Sequence, residues 1–217
     1  MNHLKADLRK PYLNIPYDPR IDPRIRVCHY LDLNNVTKKW HYGVNFSEGK
    51  FVMLISDDVM VSKHTIAAMA NTAKTSKDLI VGCMSNCDST TRYHANVTME
   101  DIPIQLKMRM EDLKGRQASV INWPKMTEIL LPQPWLSFYC TLFPRTVLEK
   151  VGDFDESLDV RYNDVDYCQR AAKLGIPCVI NLGVYALHFG DRTLPKVTTP
   201  EMYAAADESY RNKYRLV

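Results

Sequence analysis

The sequence predicts an α/β protein in which helices flank a mixed, mostly parallel sheet. Continuous apolar runs of strand length, such as Phe51–Ile55, are typical of strands buried on both faces. These runs alternate along the chain with segments of helical periodicity. The order strand, helix, strand between Phe51 and Gly82 is a βαβ unit, which favours parallel pairing.

The composition is that of a globular chain and excludes several classes of protein. Of the 217 residues, 46% are hydrophobic, which is too apolar a chain for general disorder. The 28 basic and 25 acidic side chains leave a net charge of +3, too balanced for an electrostatic nucleic-acid binder. No apolar run approaches the roughly 20 residues of a membrane-spanning helix, and Met1–Lys10 lacks the pattern of a signal peptide. We therefore expect a cytoplasmic protein, with at most a peripheral association with a membrane.

The N-terminal segment differs from the rest of the chain. Four prolines punctuate residues 1–24 and no hydrophobic period runs through them, which predicts an extended arm. Residues 25–217 then predict a single domain that begins with a strand over 25–31. The six cysteines are scattered, with one close pair where a zinc site needs two, so we expect most of them to be buried small hydrophobes.

The remaining elements follow from hydrophobic period and from turn residues. Helical spacing predicts helices over 40–49, 63–74, 104–113, 145–152, 164–174 and 201–215. Apolar runs predict strands over 51–55, 79–82, 136–143, 178–180 and 184–188. Glycines at Gly49, Gly152 and Gly175 are placed to end helices. In the helix over 63–74, the inner face is predicted to carry Ile66, Met69, Ala70 and Ala73.

Two adjacent carboxylates, Asp57 and Asp58, follow the buried strand directly. Ligands of open α/β sheets gather at that edge, and two repelling carboxylates are stable beside a cation such as Mg²⁺ or Mn²⁺. A solvated turn in which one aspartate caps a backbone amide explains the pair equally well.

A second acidic cluster lies around the predicted helix over 164–174. It consists of the run G-D-F-D-E from Gly152 and of N-D-V-D from Asn163. A structural interpretation is available, with Asn163 or Asp164 as the N-cap and Asp166 as a first-turn acid favoured by the helix dipole.

The third cluster, H-F-G-D-R-T, begins at His188, where a strand ends. A single histidine is more often structural than a ligand. Arg192 in the same run is suited to a phosphate, or is simply a surface charge.

Taken in order, these motifs resemble those of the family 2 glycosyltransferases of the GT-A fold, which is Rossmann-like. The family pattern has an acidic D-x-D-like loop, G-G-F-D-E, E-D-x-D-x-x-x-R and a late H-x-x-G-x-T. Here the corresponding runs are S-D-D-V, V-G-D-F-D-E, N-D-V-D-Y-C-Q-R and H-F-G-D-R-T. The likeness extends from about Ile25 to Thr193.

The resemblance implies an inverting transfer of a sugar from a nucleotide-sugar donor to a glycan, lipid-linked or protein acceptor. Asp58 matches the residue that binds Mn²⁺ or Mg²⁺ on the donor diphosphate, and Asp57 takes the supporting position beside it. His188 matches the late histidine that completes the metal or diphosphate contacts, and Asp164 matches the general base.

Three further residues are expected to contact the acceptor substrate. Trp135 and Tyr139 precede the G-D-F-D-E run and are either an aromatic platform for a sugar ring or part of the core. Asp166 follows the matched base by two positions.

The chain also departs from the family pattern. Ser56 replaces the first acid of the metal loop, and Asn163 replaces the glutamate before the base. The family's first strand and helix have no counterpart, so the sheet is expected to be N-terminally truncated relative to the family. Its open edge would be covered by the proline-rich arm, by a second copy of the chain or by a separate polypeptide.

Two other functions remain open from the sequence. One is an inactive GT-A-like subunit that binds or assembles with a partner chain. The other is a metal-dependent phosphohydrolase that uses Asp57, Asp58 and His188.

Overall fold

The structure is a computed structural model that describes residues 35–61, 63–75, 78–85, 130–188 and 198–215. These residues form five helices: α1 Val36–Phe46, α2 Lys63–Thr75, α3 Arg145–Val151, α4 Asn163–Lys173 and α5 Pro200–Tyr214. They also form six strands: β1 Phe51–Ile55, β2 Val59–Val61, β3 Ile80–Ser85, β4 Leu130–Gln133, β5 Cys140–Pro144 and β6 Cys178–His188. Outside the described residues lie the predicted arm over 1–24, the strand over 25–31, the helix over 104–113 and Arg192. The expected N-terminal truncation of the sheet therefore stays a prediction.

The strands form one mixed sheet in the order β1-β5-β3-β6-β2, with β4 also paired to β6. Among the described pairs, β3 and β6 run parallel and the other four are antiparallel. The α/β class is confirmed, but the prediction of a mostly parallel sheet is wrong. The reason is that β5 inserts antiparallel between β1 and β3, so the two strands of the predicted βαβ unit share a direction without being neighbours.

Helices cover both faces of this sheet, because neighbouring side chains of each strand point to opposite sides. On β1, Val52 and Leu54 join a core cluster with residues of α3 and α4, while Phe51 and Met53 pack against a second cluster that contains Met69 of α2. One apolar layer therefore lies on each side of the sheet.

Two predicted faces are corrected by the structure. The strand β1 was predicted to be buried on both faces, but the face that carries Phe51, Met53 and Ile55 is not fully buried. The reason is that β1 is the edge of the described sheet and α2 packs mainly over β6, β3 and β5. On α2, Ile66 is 46% exposed, and the buried row consists of Thr65, Met69, Thr72 and Ala73. The helix is thus rotated by about one residue from the predicted phase.

Several element ends also differ from the sequence prediction. Gly152 and Gly175 follow α3 and α4 with φ of +83° and +73°, which confirms them as helix ends. The strand predicted over 136–143 begins only at Cys140, and the two strands predicted over 178–188 are one strand, β6. In α5 the buried residue is Ala206.

An irregularity in β6 places its carboxyl end beside β2. Cys83 of β3 pairs with Asn181, but the next residue, Met84, pairs with Tyr185, so β6 carries three extra residues at this point. Beyond this bulge, β6 pairs with β2, and Val59 lies opposite His188. Bulges commonly redirect a strand next to a functional site, and here the bulge precedes a predicted site residue.

Candidate active site

The acidic pair lies in the tight turn between β1 and β2. The Ser56 amide donates to the Tyr139 carbonyl at 2.9 Å, and the Val59 amide donates to the Ser56 carbonyl at 3.2 Å. Asp57 is exposed in this turn and Asp58 is half-buried. The backbone therefore holds the turn at both ends, and both carboxylates lie at the carboxyl end of β1.

Asp58 and His188 come together, as their motifs predict. Antiparallel pairing of β2 with β6 sets Val59 opposite His188, so that the residue before Val59 also lies next to the imidazole. Asp58 Oδ1 and His188 Nε2 are 3.3 Å apart, and each side chain is 18% exposed. A carboxylate and an imidazole thus face each other in a partly shielded position.

Tyr139 lies against this histidine. Its ring is stacked on the His188 ring with centroids 5.0 Å apart and planes 11° apart. Its hydroxyl donates to the Cys83 carbonyl at 2.6 Å, and the residue is 7% exposed. In this position Tyr139 supports the imidazole and offers little surface to a sugar ring. Trp135 is half-buried and packs against the core cluster on the α3 and α4 face.

Asp164 lies in the first turn of α4, half-buried, with Oδ1 accepting from the Val165 amide at 2.8 Å. The residue at the N-cap is Tyr162, in the left-handed conformation with φ of 67° and no capping side-chain hydrogen bond. The alternative in which Asn163 or Asp164 is the N-cap is therefore wrong. Asn163 instead turns inward, donating to the Asp159 carbonyl at 3.1 Å and to Thr37 Oγ1 at 3.5 Å.

Asp166 is fully buried and its carboxylate is occupied by protein groups. Arg170 Nε donates to Oδ2 at 2.9 Å, and the Tyr214 hydroxyl donates to Oδ1 at 2.7 Å. Lys213 Nζ lies 2.5 Å from Oδ1. Burial and the hydrogen bond to Asp166 raise the pKa of the Tyr214 hydroxyl. A carboxylate in this environment anchors α5 to α4 and is not available to an acceptor.

The side chains at the β1–β2 turn match part of a metal site. One carboxylate oxygen and one imidazole nitrogen are ligand atoms that suit Mn²⁺. The phosphate oxygens of a bound nucleotide would add further oxygen ligands. In the described part of the chain, no group of three or more His, Cys, Asp or Glu is arranged to hold a metal ion. Among the described residues, Asp58 and His188 are thus a pair of possible ligands, and Asp164 does not join them.

Sequence reasoning missed the part that α5 plays around Asp164. Tyr210 stacks on Tyr162 with ring centroids 4.4 Å apart, and Lys213 reaches both Asp166 and Asp155. A signal was present, because Tyr203, Tyr210 and Tyr214 are spaced by seven and four residues and so share one helical face.

The chain is similar to a known protein family over most of its length. The family model described as glycosyltransferase like family 2 matches residues 20–212, and no curated protein matches the chain. None of the helices in the described residues is both long and apolar enough to cross a membrane. The match covers most of the chain and includes the β1–β2 turn, α4 and the end of β6. The chain therefore belongs to the glycosyltransferase family 2-like proteins.

Proposed function

We propose that this glycosyltransferase uses a divalent cation and inverts the anomeric carbon of a nucleotide-sugar donor. The observation that carries the proposal is the approach of Asp58 to His188, two residues 130 positions apart in the sequence, at the edge of the sheet where the β1–β2 turn lies. Open α/β sheets bind ligands at this kind of edge.

The donor diphosphate is proposed to bind at this edge. Asp58 and His188 would hold Mn²⁺ or Mg²⁺, and Asp57 at the exposed side of the turn would support the site. The cation, when bound, supplies positive charge against the diphosphate as it leaves. Arg192, four residues beyond β6 in the sequence, is the proposed phosphate contact.

Asp164 is the proposed general base. In an inverting displacement the acceptor hydroxyl oxygen forms a bond to the anomeric carbon as the bond to the diphosphate oxygen breaks. The hydroxyl proton passes to a carboxylate oxygen of Asp164. The half-buried position of Asp164 in the first turn of α4 supports this role, because a base has to come within hydrogen-bond distance of the hydroxyl while remaining ordered. Trp135 is the proposed contact for the acceptor ring.

Calorimetry with uridine and guanosine diphosphates, with and without Mn²⁺, tests the donor site. We expect binding that requires Mn²⁺ and that is lost in Asp58→Ala but kept in Asp78→Ala, an aspartate paired with Lys150. If the folded wild type binds no nucleotide of any kind, the result supports the alternative of an inactive binding or assembly subunit.

Turnover tests the base separately. With a panel of uridine and guanosine diphosphate sugars and water as acceptor, Asp164→Asn is expected to lower the rate of nucleotide release by a factor of about 10² or more. Its affinity for the Mn²⁺–nucleotide complex should stay within about twofold of wild type. A variant that turns over at the wild-type rate would remove Asp164 from the mechanism.

A further inference from the structure

We propose that helix α5 positions Asp164 by holding the strained residue Tyr162 in place. The inference rests on the proposed role of Asp164 as the base. It makes Tyr162 and Tyr210 positioning residues that act through the backbone, without contact with the substrates.

The backbone at Tyr162 is held in a conformation that a bulky residue seldom adopts. Its φ is 67° and its ψ is −5°, in the left-handed region that favours glycine. The Tyr162 carbonyl accepts the amide of Asp166 at 2.7 Å, which is the first hydrogen bond of α4. The direction in which Asn163 and Asp164 leave Tyr162 therefore depends on this conformation being maintained. Such strain persists only where the surroundings determine it.

The surroundings in question belong to α5. The Tyr162 and Tyr210 rings are stacked at 4.4 Å with planes 17° apart, and the Tyr210 ring also contacts that of Tyr214 at 4.8 Å. The Tyr210 hydroxyl accepts from Gln169 Nε2 at 2.8 Å, so the same ring is fixed to the middle of α4. Offset and stacked aromatic pairs stabilise one another beyond the area that they bury.

A second set of contacts reaches the residue before Tyr162. Arg161 donates to Asp207 Oδ1 at 3.0 Å, and its guanidinium lies 5.0 Å from the centre of the Tyr203 ring. Three residues of α5 thus hold the two residues that precede Asn163.

The opposite side of the turn is fixed by α1. Asn163 donates to Thr37 Oγ1, and the Thr37 hydroxyl donates to the Leu158 carbonyl at 3.1 Å. Asp164 therefore follows a segment that is held from two sides. Ala206 is the buried residue of α5. The helix is therefore held mainly by its aromatic and polar contacts with α4 and with the residues that precede α4.

The experiment compares Tyr210→Ala with Tyr210→Phe in the full chain. Tyr210→Ala removes the ring stacked on Tyr162, and we expect the turnover number to fall at least about tenfold. The KM for the donor sugar and the affinity for the Mn²⁺–nucleotide complex should stay within about twofold, because the β1–β2 turn is untouched. Tyr210→Phe keeps the stacking and should restore most of the turnover.

Two further measurements separate positioning from loss of stability. Val147→Ala removes part of a fully buried side chain of α3 and serves as a destabilised control that should keep its turnover at temperatures well below its Tm. Hydrogen exchange of the peptide over residues 160–168 should rise in Tyr210→Ala and stay at the wild-type level in Tyr210→Phe.

The outcomes are distinguishable. If turnover and exchange are both unchanged in Tyr210→Ala, or if Val147→Ala loses as much turnover at equal stability, the positioning role is overturned. If the wild type transfers no sugar from any donor, the proposed function fails, while a rise in exchange confined to residues 160–168 still supports the hold of α5 on Tyr162.

Discussion

Tyr139 shows how an uncharged side chain contributes to the proposed cation site. Its ring is parallel to that of His188, and its hydroxyl is fixed by the Cys83 carbonyl on the neighbouring part of the sheet. An imidazole rotates freely unless a neighbour restricts it, and only one orientation presents Nε2 to Asp58. The stacked ring supplies that restriction.

Replacement of Tyr139 separates its ring from its hydroxyl. Tyr139→Leu removes the stacking and should weaken Mn²⁺-dependent nucleotide binding by roughly tenfold, the effect of about 1.4 kcal/mol expected for a lost aromatic pair. Tyr139→Phe keeps the ring and should bind within about threefold of wild type. Calorimetric titration measures both affinities, and wild-type affinity in Tyr139→Leu would show that the ring has no part in orienting His188.

Single residues also mark the limit of sequence reasoning. Asp58 and His188 were identified because each occurs in a short run next to a strand end, which is a local signal. The environment of Asp166 could not be identified in this way, since its burial depends on Lys213 and Tyr214, more than 40 positions later in the chain. The left-handed backbone of Tyr162 has no signal in residue type, because glycine or asparagine is expected there.

At the scale of elements, charged contacts attach α5 to α4 and to the loop that follows α3. Lys213 Nζ lies 2.5 Å from Asp166 Oδ1 and 2.6 Å from Asp155 Oδ2. The lysine thus joins α4 to the loop that carries the G-D-F-D-E run. A fully buried carboxylate requires such partners, because an unpaired charge in the interior is costly.

Lys213→Met is expected to lower the free energy of unfolding by about 2 kcal/mol, because Asp155 loses a charged hydrogen bond and Asp166 loses an ion pair while it keeps Arg170 and Tyr214. Lys150→Met is the matched control. Lys150 pairs with Asp78 across side chains that are 53% and 33% exposed, and its loss should cost under about 1 kcal/mol. Urea unfolding measures both values, and equal losses in the two variants would contradict the bridging role of Lys213.

The ion pair between Lys213 and Asp155 makes the attachment of α5 sensitive to acid. Partial burial alone would raise the pKa of Asp155, but hydrogen bonds from Lys213 and Ser157 lower it from 3.8 to about 2. A carboxyl whose pKa is lowered by folding stabilises the folded state above its ordinary pKa and loses this contribution as the pH falls through its folded value. Between pH 4 and about 2, the Tm of wild type should therefore fall more steeply than that of Asp155→Asn. Parallel curves from thermal unfolding would contradict the pairing.

At the scale of the whole molecule, the sequence predicted the class of fold but not the order of the strands. Hydrophobic period is local, so β1, α2, β3 and α4 were found close to their observed positions. Pairing depends on contacts between distant segments, and nothing local indicated that β5 would separate β1 from β3 with the opposite direction. The parallel partner of β3 is instead β6, nearly 100 positions later, which carries His188 to the site.

The centre of the sheet is the place where stability and site chemistry can be tested apart. Gly82 lies in β3 opposite Thr141 of β5 and Ile180 of β6. A Cβ at Gly82 would lie 3.1 Å from Leu136 Cδ2 and 3.4 Å from Ile180 Cγ1, inside the buried core. Close-packed interiors do not absorb such an atom without displacement of their neighbours.

Gly82→Ala should therefore lower the free energy of unfolding by about 1 kcal/mol through overpacking. Gly43→Ala, on α1, should raise it by a similar amount, about 1 kcal/mol, because alanine favours the helix and nothing lies within 4 Å of the added Cβ. Neither residue contacts Asp58, so both variants should bind the Mn²⁺–nucleotide complex as wild type does when folded. Urea unfolding and calorimetry test the two expectations together. Opposite signs of stability change with equal affinity would show that the sheet fixes the site as a rigid frame, whereas a loss of affinity in Gly82→Ala would mean that strain at the centre of the sheet reaches the β1–β2 turn.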